Sequence, residues 1–102
     1  MNLMSDRHAS IRWIGLPETA LLWEQFGDEF LIYNRRSGQT HFLNATAAEA
    51  LRVLQAEALT PAALEAWISR RFDMEDGVSV ARYVRGLLQE FDHAGLICPS
   101  PA

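Results

Sequence analysis

Residues 37–44, Ser-Gly-Gln-Thr-His-Phe-Leu-Asn, decide how this chain is read. Ser37-Gly38 is a turn signal, with glycine available for a positive φ. Asn44 opens a run of small and apolar residues that reads as a helix. Between them lies a strand-length piece, Gln39–Leu43. Leu43 immediately precedes the helix and is expected to face it, so strand alternation turns His41 inward and points Thr40 and Phe42 the other way. At the edge of a small sheet, Phe42 stands uncovered unless something packs on it. Two occupants are open at this point: the apolar segment around Trp13 folded across that face, or a partner.

Upstream, two more strands are expected at Ala20–Phe26 and Glu29–Asn34, broken by Gly27-Asp28 and by Arg35-Arg36-Ser37-Gly38. Ile11–Ile14 reads as a strand or an arm packed on the domain. Downstream the period changes. Asn44 or Thr46 can cap a helix through Gln55, Thr46 with Glu49 matching a capping box, and Ala47, Ala50, Leu51 and Leu54 form its inward stripe. Thr60-Pro61 starts a second helix with Leu64, Trp67, Ile68 and Phe72 inward. A third, Val78–Ala94, carries Val80, Val84, Leu87, Leu88 and Phe91 on one stripe. Gly95 suits a helix C-terminus, Leu96-Ile97 fold back, and Pro99 and Pro101 mark a loose tail. The expected organisation is a mobile stretch at residues 1–10, one domain over 11–97, and a tail at 98–102. Three strands followed by three helices is the α+β composition of a winged helix-turn-helix.

With 102 residues and 49% hydrophobic content, the chain has room for one modest core. Nine basic against thirteen acidic residues give a net charge of −4, which opposes strong binding to phosphate backbones. A single cysteine, Cys98, cannot form an internal disulfide, and with His8, His41 and His93 it offers no zinc spacing. No apolar run approaches the ~20 residues of a membrane span, and the first residues lack a signal peptide's apolar stretch. A cytoplasmic protein without metal or cofactor is expected. No nucleophile–base set or glycine-rich phosphate loop points to an enzyme.

The stretches Leu22-Trp23, Phe30-Leu31-Ile32-Tyr33, residues 37–44, Ala47-Ala48-Glu49 and Leu51, with the closing Leu87-Leu88, Phe91 and Gly95-Leu96-Ile97, resemble the PqqD-like family. The likeness spans residues 20 to 97, and the Ser-Gly-x-Thr-His-x-Leu-Asn segment is similar to the branch encoded beside HPr-kinase-related proteins. This resemblance implies a peptide chaperone, a recognition element for ribosomally synthesised natural-product precursors. It would hold the leader of a precursor peptide and present it to a modifying enzyme or HPr-kinase-related protein. It also implies that the leader adds as a strand beside the third strand and lies against the third helix. Carried onto this chain, the binding residues are Gln39, Thr40, His41, Phe42 and Leu43, with Val84 and Leu88 in the groove wall. Arg82 and Arg85 would meet acidic leader residues. The open edge can also be completed by a second copy, as a homodimer.

Each of these residues has a plainer reading beside the functional one. A buried, hydrogen-bonded structural histidine is the favoured reading of His41 over a catalytic one. Trp23, Trp67, Tyr33 and Tyr83 are expected in or beside the core. Arg35-Arg36 and Arg70-Arg71 read as solvated charges, and Arg82 and Arg85 as ordinary surface. Glu24, Asp28 and Glu29 read as turn charges rather than a catalytic pair. The rivals to a peptide adaptor are a DNA-binding winged helix, since fold does not fix function, and a structural subunit of a partner enzyme. The acidic balance predicts no measurable duplex binding at physiological salt. Tight binding that falls steeply with added salt, read by a labelled-duplex titration, would overturn that expectation.

Overall fold

The computed structural model describes residues 11–101, and the expectation for residues 1–10 lies outside them. The chain runs through strand β1 (Trp13–Gly15), a 3-10 turn (Glu18–Ala20), strands β2 (Leu21–Phe26), β3 (Glu29–Asn34) and β4 (Thr40–Asn44), helices α1 (Ala45–Ala56), α2 (Pro61–Arg71) and α3 (Gly77–His93), and strand β5 (Ile97–Pro99). β2, β3 and β4 form an antiparallel sheet in that order, and the three helices follow it: an α+β, winged-helix-like fold.

Local chemistry sets the boundaries. Asn44 rather than Thr46 caps α1, its side chain accepting from the Ala47 N–H at 2.9 Å. Asn44 ends β4 in extended conformation, so its oxygen already stands over the helix's free amides. Glu49, free of the capping-box role, instead pairs with Arg71 at 2.8 Å and ties α1 to α2. Thr60 caps α2 and Pro61 occupies its first turn. Gly95, at φ +73, turns the chain back at the end of α3, and the Leu96 N–H bonds the Phe91 carbonyl at 2.9 Å.

The inward stripes converge as their spacing predicts. Leu51, Leu54, Leu64, Ile68, Val80, Val84, Leu87, Leu88 and Phe91 pack with Ile32 of the sheet and with Leu96 and Ile97. Trp67 and Phe72 stand edge-to-face, ring centroids 6.1 Å apart, at the rim of this core.

The Trp13 segment is a strand, and it lies away from Phe42. β1 pairs antiparallel with β5, and Trp13 exchanges two backbone hydrogen bonds with Leu59, at 2.8 and 3.0 Å. β1, β5 and the α1–α2 connection are thereby clasped together. Cys98 and Pro99, expected in a loose tail, belong to this ribbon. Proline is tolerated there because the pairing is two-stranded and all edge. β1 passes so close to α1 that a Cβ on Gly15 would stand 2.9 Å from the Gln55 backbone nitrogen. The amide of Gln55 secures the approach, donating to the Leu16 carbonyl at 2.8 Å.

Candidate peptide-binding edge

β4 pairs with β3 on one side, and no other described strand pairs with it. Which of its amides face the open side follows from two hydrogen bonds. The register pairs Tyr33 with Thr40, Ile32 with His41, Leu31 with Phe42 and Phe30 with Leu43. One step further, the Asn34 N–H donates to the Gln39 carbonyl at 2.8 Å. Because antiparallel pairs alternate between bonded and non-bonded, Ile32–His41 and Phe30–Leu43 are bonded pairs, and Tyr33–Thr40 and Leu31–Phe42 are not. On the other side of β3, the Arg35 N–H donates to the Ala20 carbonyl at 2.9 Å, which turns the groups of Tyr33, Leu31 and Glu29 toward β2. The two bonds demand the same alternation. Thr40 and Phe42 therefore present both N–H and C=O to the open edge, and Asn44 its N–H.

A buried asparagine holds the turn that fixes this register. Asn34 is 2% exposed. Its side-chain oxygen accepts from the N–H groups of Arg36 at 2.9 Å and Ser37 at 3.4 Å. Its amide reaches the Gly95 carbonyl, at 3.4 Å, beyond the end of α3. An asparagine before Arg-Arg-Ser-Gly signals a turn, but nothing in the sequence shows that its side chain is buried there.

Phe42 stands on the sheet's outer face at 69% exposure, so the Trp13 segment does not cover it. Thr40 beside it is also exposed. Tyr33, expected beside the core, shares this outer face and is exposed. Gln39 precedes β4 and lies in the turn. His41 and Leu43 are half-buried, on the face that carries the buried Ile32. The expected hydrogen bond of His41 is absent among the described residues: its Nε2 is buried and finds no partner there. A desolvated ring nitrogen without a partner carries a free-energy cost that an incoming polar group can remove.

α3 divides into a core side and a free side. Val84 is fully buried and Leu88 is 7% exposed, so neither offers a free wall to a groove; their apolar stripe points into the core. Arg82 and Arg85 are exposed, as is Val78 at the start of the helix. Asp76 caps α3. The Ser79 hydroxyl, followed by the N–H groups of Ser79 and Val78, holds its carboxyl below the usual aspartate range. That contribution is present above the ordinary carboxylate pKa and lost as pH falls through the lowered value. α3 packs mainly on α2 and β5, whereas β4 packs on β3 and α1.

On the opposite flank, Arg52 lies over the Trp23 ring, 4.4 Å from its centroid, beside an open cleft of about 370 Å³ lined also by Glu18, Gln55 and Ala56. A cation so placed is a common packing device, and residue spacing alone gave no sign of it. No helix among the described residues is long and apolar enough to cross a membrane.

No family model matches the chain, and no curated protein matches it. Among solved structures it is similar to TbiB1 in complex with the TbiA(beta) leader peptide, with a TM-score of 0.64 and 17% identity over 84% of this chain and 98% of that one. At that identity the likeness shows the fold.

Because Leu88 belongs to the core, Leu88→Ala is expected to lower stability by about 2–5 kcal/mol. Denaturant unfolding checks this. An unchanged midpoint would return Leu88 to the accessible side of α3.

Proposed function

We propose that this chain is a non-catalytic adaptor that binds the leader of a precursor peptide as an added strand on β4 and presents it to a modifying enzyme. The observation that carries the proposal is the open edge of β4, with the amides of Thr40 and Phe42 directed outward. The likeness in fold to a protein solved with a leader peptide supports it.

Strand addition takes its affinity from main-chain bonds and its selectivity from side chains. Thr40 and Phe42 supply two donors and two acceptors, and Asn44 a further donor. At roughly 0.5–1.5 kcal/mol net each, these five groups contribute about 2.5–7.5 kcal/mol. A micromolar complex needs about 8 kcal/mol, and immobilising a flexible peptide raises the gross requirement further. Backbone bonds alone therefore fall short, and side chains must supply the difference.

The inward side chains of the leader would meet His41 and Leu43, and a polar one would satisfy the buried Nε2 of His41. Outward side chains would lie beside Thr40 and Phe42. Arg82 and Arg85, on the free side of α3, suit acidic leader residues. Val84 and Leu88 act from beneath, by holding α3 in place. Within this reading, the motif at residues 37–44 resembles the branch encoded beside HPr-kinase-related proteins, which makes such a protein a second candidate for receiving the peptide.

Fluorescence anisotropy with labelled peptides tiling the precursors encoded beside the gene tests the proposal. One of them is expected to bind, and Phe42→Pro should abolish its binding because the lost donor faces the edge. Arg82→Glu should weaken acidic peptides most. If no tile binds, or if the folded Phe42→Pro variant binds as the parent does, strand addition on β4 is wrong.

A further inference from the structure

The outer face of the sheet raises a question that edge binding does not answer. Its side chains stand in rows across the strands: Leu22, Tyr33 and Thr40; then Glu24, Leu31 and Phe42; then Phe26, Glu29 and Asn44. Leu22, Tyr33, Phe42 and Phe26 are exposed, and Leu31 is half-buried among them. No described element packs on this face. Contiguous apolar surface of this kind, unlike singly scattered apolar residues, is what interaction sites present.

The charges at its two ends identify the occupant. Arg35 opens the turn that follows β3, exposed and with its N–H bonded to the Ala20 carbonyl, and the exposed Arg36 follows it. The opposite end carries Glu29 and, at the hairpin tip, Asp28. The face is thus basic at one end and acidic at the other, and between them it is largely apolar, with Glu24 as its one charge. A surface of that polarity complements itself when it is reversed.

We propose that two copies of this chain pack face to face through these sheets, about a two-fold axis running across the strands between the Tyr33 and Leu31 rows. This position follows from the residues. An axis along the strands would set acid against acid, and one centred on the middle row would oppose the two Glu24 side chains. Centred between Tyr33 and Leu31, it places Arg35 opposite Glu29 of the second copy, Tyr33 opposite Leu31, and Thr40 opposite Phe42. Every contact occurs twice, as an isologous interface requires. Two such faces stack at the usual spacing of packed sheets, with strand directions offset by sheet twist. The face is small beside a standard interface, so the dimer is weak and depends on concentration. Because the faces pack and the edges do not, β4 stays open to a peptide in both copies.

Sedimentation velocity from low micromolar to near-millimolar protein tests this, with Arg35→Glu, Glu29→Arg and the two combined. All three changes lie at exposed positions, and circular dichroism verifies that the fold is kept. The parent is expected to dimerise across that range. Each single reversal should weaken the dimer by about tenfold or more, since attraction becomes repulsion at two symmetric contacts. The double reversal should restore it. A parent that stays monomeric throughout overturns the proposal. So does a dimer indifferent to Arg35→Glu, as one joined through its β4 edges would be, or a double variant that fails to recover.

Discussion

The hydrogen bond from the Asn34 N–H to the Gln39 carbonyl fixes more of this molecule than any other single contact. It closes the β3–β4 turn and sets which residues of β4 exchange bonds with β3. A slip of one residue would send Phe42 into the helices and His41 to solvent, and would turn a different set of amides to the open edge. The buried side chain of Asn34 guards against that slip from below, gripping the turn's amides while reaching the end of α3. Sheet register and helix position are coupled through one residue.

The remaining elements keep that edge available. β1 is taken up by β5 and the Leu59 bridge, so the Trp13–Gly15 segment does not complete the sheet. A sheet edge left open is an aggregation hazard, usually blunted by charge, proline or shortness. β4 has neither charge nor proline within its five residues, and brevity is its protection. An uncharged, uncovered edge is retained at some risk, which is intelligible if another chain uses it.

The sequence made the helices and the wing legible because their signals are local. Apolar stripes at helical spacing located Leu51, Leu54, Ile68 and Leu87, and glycine turns separated the strands. The features that escaped are long-range. The run Ile11–Ile14 left strand and packed arm open, and the partner that decides for a strand at Trp13–Gly15, Ile97–Pro99, lies more than eighty residues away, out of reach of any local signal. The half-buried His41 looked like a satisfied core histidine because alternation gives direction and not partners. Val84 and Leu88 lie where their stripe put them, in the core; the groove-wall role came from the family resemblance, which carries a position over but not its enclosure by neighbouring side chains. Arg71 is exposed, as its reading as a solvated charge has it, but its pairing with Glu49 between two helices is one that no spacing encodes.

Backbone-amide NMR during titration with a binding leader peptide tests strand addition most directly. The parity of the β3–β4 ladder makes the expected result specific. The N–H groups of Thr40 and Phe42 should shift downfield and become protected from hydrogen exchange, while those of His41 and Leu43, already bonded to β3, should change little in protection. Uniform changes along β4, or changes centred on α2 with Thr40 and Phe42 still exchanging freely, would contradict it.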